Sequence, residues 1–154
     1  RVALGRTVLR GQVDRIELAP DGSVRIIDYK TGSTRPRKAD LARHAQLGAY
    51  QVAVQEGAFA EVLAKATGRS DPGPVASAGA ALVQLGKAAN KGVTVDPQPP
   101  LETDEDPRWA HTLIAETGAA MGQARFVARP EERRCERCPV RRACPAQPEG
   151  AALA

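Results

Sequence analysis

Residues 12–32, QVDRIELAPDGSVRIIDYKTG, read as two antiparallel strands joined at Pro20-Asp21-Gly22. A three-residue loop, a type I turn closed by a glycine with positive φ, pairs Ala19 with Ser23. Leu18 then faces Val24, Ile16 faces Ile26, and Asp14 faces Asp28. One face of the hairpin carries Leu18, Ile16, Val24 and Ile26, and Glu17, Arg15 and Arg25 lie on the other. A slip of one residue would set Leu18 against Arg25, so the apolar pattern selects the first register.

At the open end of this hairpin the apolar face turns to charge on both strands at matched positions. Asp14 and Asp28 oppose each other, and Lys30 points to the same side. Side chains so paired lie roughly 4.5–5.5 Å apart at Cβ, where like charges are destabilising. A cation is required. Lys30 can supply it, and oxygen ligands at this spacing also suit Mg²⁺ or Mn²⁺. Asp-x-Lys on one strand with an Asp on its neighbour fits metal-dependent phosphodiester hydrolysis. The metal polarises the phosphate and acidifies a bound water, and the lysine orients that water or steadies charge on the phosphate. A plainer reading, surface charges at strand ends, leaves the matched switch on the two strands unexplained.

The remaining chain sets the context. Its 154 residues suffice for one domain with a core, 42% of them hydrophobic but only 3% aromatic, and the net charge is +4. Basic residues cluster at Arg35, Arg37, Lys38 and Arg43, and again at Arg125, Arg129, Arg133, Arg134, Arg137, Arg141 and Arg142. Acidic ones gather between, at Asp96, Glu102, Asp104, Glu105 and Asp106. Such basic flanks suit a polyanion such as DNA, or serve as ordinary solvated faces. No apolar run is long enough for a bilayer and no secretory pattern opens the chain, so no membrane role is expected. The start at Arg1, without an initiator Met, suggests a piece of a longer protein.

Residues 2–9 suggest a first strand. Residues 39–56 have helical periodicity, with Asp40 as N-cap and Leu41, Ala45, Gly48, Ala49 and Val52 as the apolar stripe. Gln46 and Tyr50, four apart, share one face of that helix and reach the acidic site if the helix crosses behind the hairpin. A further helical turn or two is expected over 59–66, a loop over 68–78, a buried central strand over 80–85 and a short edge strand over 93–95. A second long helix over 108–125 places Leu113, Ile114 and Met121 inward. Trp109 reads as a packing residue and His111 as a surface or capping residue.

Cys135, Cys138 and Cys144 form C-x2-C-x5-C. Three thiols at this spacing suit one metal centre better than a disulfide framework. Zinc sites and iron–sulfur clusters both take four ligands, and spacing does not separate them.

Taken in order, Gly11-Gln12-Val13-Asp14-Arg15, Ile27-Asp28-Tyr29-Lys30-Thr31-Gly32, Gln46-x-x-x-Tyr50 and the cysteine tail resemble the RecB-type nuclease domain of the PD-(D/E)xK superfamily. More narrowly, they resemble the iron–sulfur branch found at the C-termini of AddB-like and actinobacterial helicase–nucleases. The resemblance implies an α/β, restriction-endonuclease-like mixed central sheet flanked by helices: a nuclease core over 1–128 and a Cys-rich cluster-binding tail over 129–154. It implies that Asp14, Asp28 and the Tyr29 carbonyl ligate Mg²⁺ or Mn²⁺. Lys30 is then the catalytic lysine, and Gln46 and Tyr50 support the site. Cys135, Cys138 and Cys144 become three of four ligands to a [4Fe–4S] cluster that staples the domain. The implied activity is DNA exonuclease action on single strands or duplex ends, beside a helicase domain or subunit, in break repair in the bacterial cytoplasm. That family places a histidine, and that branch its first cysteine, upstream of the first strand. The expectation here is a piece that lacks both, in which activity and cluster are incomplete. The alternative is a catalytically silent or zinc-stapled DNA-binding module.

Overall fold

The computed structural model describes residues 1–68, 75–86, 92–124, 127–148 and 150. A two-stranded ribbon, β1 (Val2–Leu4) and β2 (Thr7–Leu9), precedes β3 (Arg15–Leu18) and β4 (Val24–Lys30). Three helices follow, α1 (Lys38–Leu41), α2 (Ala45–Gln55) and α3 (Ala60–Thr67). Then come β5 (Ser77–Gln84), β6 (Thr94–Gln98), α4 (Trp109–Met121) and α5 (Glu132–Glu136). The strands form a four-stranded mixed sheet in the order β3-β4-β5-β6, parallel only between β4 and β5. The chain divides into two compact units, Arg1–Ala119 and Ala120–Ala154.

The hairpin takes the expected register, with Leu18 opposite Val24 and Ile16 opposite Ile26. Ala19 N–H donates to the Ser23 carbonyl at 2.9 Å, and Gly22 holds φ at +84°. Asp21 Oδ1 accepts both the backbone N–H and the hydroxyl of Ser23, which stiffens the turn. Residues 80–84 are central and buried as the short apolar run implied, although β5 starts earlier, at Ser77, and Leu85 falls past its end and is exposed. Pro97 is tolerated in β6 because that strand is an edge.

Four details differ from the sequence expectation. Residues 2–9 are a hairpin, not one strand: Gly5, at φ +57°, is the first of two loop residues between the paired Leu4 and Thr7, which suits a type II′ turn. Residues 39–56 are two helices. Asp40 caps neither, lying inside α1 in a two-bonded pair with Arg37, and His44 takes the N-cap place of α2 without a side-chain bond. The cause is Gln98, a buried residue of β6. Its Nε2 lies within hydrogen-bond distance of the carbonyls of Leu41 (2.9 Å), Ala42 (3.2 Å) and His44 (3.2 Å); those of Leu41 and His44 also accept backbone N–H bonds, so it is the Ala42 carbonyl at the break that it supplies with a partner. Leu113 and Met121 point outward. The inner line of α4 is Ala110 and Ile114 with Gly118, one every fourth residue, and Leu113 lies about 100° off it. The expected loop around Pro72–Pro74 and the helix end at Arg125 lie outside the described residues.

The main core packs Val24, Ile26, Ala80 and Leu82 of the sheet against Leu47 and Val54 of α2, with Leu41 and Leu63 beside them. Each of the Val, Leu and Ile side chains contributes about 1.5–3 kcal/mol by leaving water. A second cluster joins Val52, Leu101, Trp109, Ala110 and Ile114, with Leu4 and Leu9 of the ribbon packed on it. Gly48 makes that contact possible, since a Cβ there would run into the Trp109 ring. This anchoring sets α2 on the β4–β5 face and fixes what its first turns can reach.

Candidate active site

Asp28 lies on β4 and is 5% exposed. Its Oδ1 accepts from Gln46 Nε2 at 3.0 Å and from the Tyr50 hydroxyl at 2.8 Å. Gln46 Nε2 also donates to Tyr50 Oη at 2.7 Å, and Lys30 Nζ donates to Gln46 Oε1 at 2.9 Å. Lys30 Nζ then stands 2.7 Å from Asp28 Oδ2, closing a ring of four side chains from one strand and one helix turn. Period two puts Asp28 and Lys30 on one face of β4, and a spacing of four puts Gln46 and Tyr50 together on α2.

Asp14 reaches the backbone of β4 beside this ring from the hairpin's other arm. The β3–β4 ladder ends at Arg15 and Ile27, so the Tyr29 N–H has no strand partner across it, and Asp14 Oδ2 accepts that N–H at 2.7 Å. The Tyr50 hydroxyl feels both acids. Burial, then the hydrogen bond to Asp28, pushes its pKa up to about 12, and the charge of Asp14 adds to the shift. Tyr50 is therefore a protonated donor at neutral pH.

The donor set suits a hard divalent cation. Asp28 Oδ2 is buried and accepts no hydrogen bond, its contact with Lys30 being off the angle of one. Among the described residues, no three His, Cys, Asp or Glu side chains gather to hold a metal. An ion here would have the two carboxylates and take its other oxygens from backbone, water and phosphate, as Mg²⁺ commonly does.

A family model described as the PD-(D/E)XK nuclease superfamily matches residues 2–145, a span that includes both acids, Lys30, the Gln46–Tyr50 helix and all three cysteines. The chain belongs to the PD-(D/E)XK nuclease superfamily. Its mixed sheet with flanking helices is consistent with the restriction-endonuclease-like fold of such nucleases. No curated protein matches the chain. Among the described residues no helix is long and apolar enough to cross a membrane.

In the second unit of this superfamily member, the three cysteines are free and half-buried. They fall on successive turns, with Cys138 N–H donating to the Cys135 carbonyl, Arg141 N–H to Cys138, and Cys144 N–H to Arg141. Cys135 Sγ accepts the Glu131 N–H at 3.2 Å. Among the described residues they do not gather into a group that could hold a metal.

Two residues near the site escape sequence reasoning. His44 starts α2 two residues before Gln46, and its Nδ1 is buried without a partner. Burial, then the charge of Lys30, holds its pKa below the usual histidine range, against an opposing pull from Asp28. Only the helix break reveals this placement. Asp96 shares a row of the sheet with Leu82 and Asp28. Both its oxygens bond to the Arg35 guanidinium, a pairing that needs the β5–β6 register to be foreseen. Arg37 and Arg43 are likewise engaged, by Asp40 and Asp104. Arg35, Arg37 and Arg43 of the basic cluster at 35–43 are thus each paired with an acid of the chain.

Proposed function

We propose that this chain hydrolyses DNA phosphodiester bonds with Mg²⁺ or Mn²⁺ held by Asp14, Asp28 and the Tyr29 carbonyl. The observation that carries this reading is the ring on Asp28: two neutral donors fix Oδ1, and the buried Oδ2 is paired only with the Lys30 amine, at 2.7 Å. When bound, the ion supplies Lewis acidity toward the phosphate and lowers the pKa of its water. Gln46 and Tyr50 hold the carboxylate plane, so the group that would face the ion needs no reorganisation. Lys30, steadied by Gln46 and Asp28, keeps its remaining N–H bonds for the phosphate or the attacking water. In the finer reading the chain is the exonuclease module of a helicase–nuclease, acting on single strands or duplex ends in break repair in the bacterial cytoplasm. The order of its motifs supports that reading.

The test is cleavage of a single-stranded oligonucleotide with Mg²⁺ or Mn²⁺. Asp28→Ala and Lys30→Ala should each lower kcat by about 10²–10³-fold, with thermal melting little changed. Cleavage at the wild-type rate by either variant refutes the assignment, and binding without turnover by the wild type identifies a silent module instead.

A further inference from the structure

Of the described arginines of the first unit, four form ion pairs, and Arg1, Arg6, Arg10, Arg25 and Arg108 form none with any described residue. Arg15, Arg35, Arg37 and Arg43 each sit on a carboxylate, that of Glu17, Asp96, Asp40 and Asp104 in turn. Arg6 and Arg10 are exposed and form no ion pair with any described residue, and residues 1–13 contain no acid that could supply one. Both belong to the β1–β2 ribbon. Arg6 is the second loop residue of its turn, and Arg10 directly follows β2.

The ribbon is a fixed platform. Leu4 and Leu9 pack on the Trp109 cluster, so the arginines sit on an element whose apolar side is already occupied. It also adjoins the site. A cavity of about 340 Å³ is walled by Arg10 and Gln12 on one side and by Gln46 and Tyr50 on the other. Arg10 precedes Asp14 by four residues, a reach of at most about 14 Å along extended chain. A strand entering a site lined by two carboxylates needs cations along its approach; the ribbon carries Arg6 and Arg10 there, with Arg1 also on the cavity wall.

We propose that the β1–β2 ribbon receives the phosphates of a DNA strand beside the active site, with Arg6 and Arg10 making the contacts. The kind of ligand rests on the nuclease reading, and the ribbon's role as a polyanion contact is tested separately from it. Binding of a labelled single-stranded oligonucleotide is measured by anisotropy in EDTA, where no cleavage occurs, at 50 and 200 mM NaCl. Each phosphate contact on a single strand contributes about 0.7 to the slope of log affinity against log salt. Arg6→Ala/Arg10→Ala should lower the slope by about 1.4, so that over this fourfold salt range the wild type loses about sevenfold more affinity than the double variant. Arg37→Ala, already engaged by Asp40, should keep the wild-type slope, and the double variant should raise KM for cleavage when Mg²⁺ is restored. An unchanged slope in the double variant, an equal flattening by Arg37→Ala, or no binding by the wild type overturns the proposal. Ribbon-dependent binding without cleavage in Mg²⁺ or Mn²⁺ upholds it while removing the nuclease reading.

Discussion

Asp28 and Asp96 occupy one row of the sheet with Leu82 between them, and both are buried. Their partners differ in kind. Asp96 is answered by a guanidinium on both oxygens, with Gln84 Nε2 at 3.4 Å beside Oδ2, and its pKa is held below the usual carboxylate range chiefly by the Arg35 hydrogen bonds. Asp28 is answered on Oδ1 by an amide and a phenol, both neutral, and on Oδ2 by an amine that does not bond it squarely. A buried acid matched by a fork of its own geometry is complete. One held mainly by neutral donors keeps its appetite for a further cation. On the proposed reading, equal burial serves two different duties, Asp96 bracing the sheet edge and Asp28 meeting a ligand.

The sharpest break of that contrast is to remove each acid in turn and read both rate and stability. The rate loss proposed for Asp28→Ala should have no counterpart in Asp96→Ala, whose kcat should stay within about twofold. Stability should run the other way. Asp96→Ala strands Arg35 and should cost about 2–3 kcal/mol in urea unfolding, the low end for a buried pair because Arg35 is part exposed. A rate loss in Asp96→Ala as large as that of Asp28→Ala, at unchanged stability, would erase the distinction. A smaller change should come from Tyr50→Phe, which deletes one donor to Asp28 Oδ1. A hydrogen bond of about 1 kcal/mol corresponds to roughly five- to tenfold in kcat/KM, and an unaltered value would show that the carboxylate needs no such support. The smallest is a pH effect. Because the folded pKa of Asp96 is depressed, its contribution is complete above the unfolded value of about 3.9 and fades as pH falls through the folded one. The wild type's lead in urea midpoint over Asp96→Asn should therefore persist at neutral pH and shrink below about pH 4. A lead that grows on acidification would reverse the sign.

The parts legible in the sequence are those governed by neighbours in the chain. Strand alternation and the Pro20-Asp21-Gly22 turn define the β3–β4 register, and a spacing of four places Gln46 beside Tyr50. Gly79 and Gly86 bound the apolar run that became β5. The parts that were not legible depend on residues far away. Helical periodicity through Ala42 and Arg43 looks continuous because the side chain that interrupts it, Gln98, belongs to a strand more than fifty positions later. The partners of Arg35 and Arg43 are likewise distant acids, so a cluster that reads as free positive charge is mostly spoken for. Leu113 was misplaced because hydrophobicity alone outweighed the small residues Ala110 and Gly118, which mark the closer approach of α4.

β4 and β5 lie side by side, yet everything from Thr31 to Ala76 is threaded between them. The seat of α2 includes Ala80 and Leu82 of β5 as well as Val24 and Ile26 of β4, so the placement of Gln46 and Tyr50 on Asp28 draws on a contact distant in sequence. A nascent chain released as far as its first helices would carry both acids and the lysine without the clasp that aims them. On the proposed reading, the site would take its working geometry only once β5 is in place.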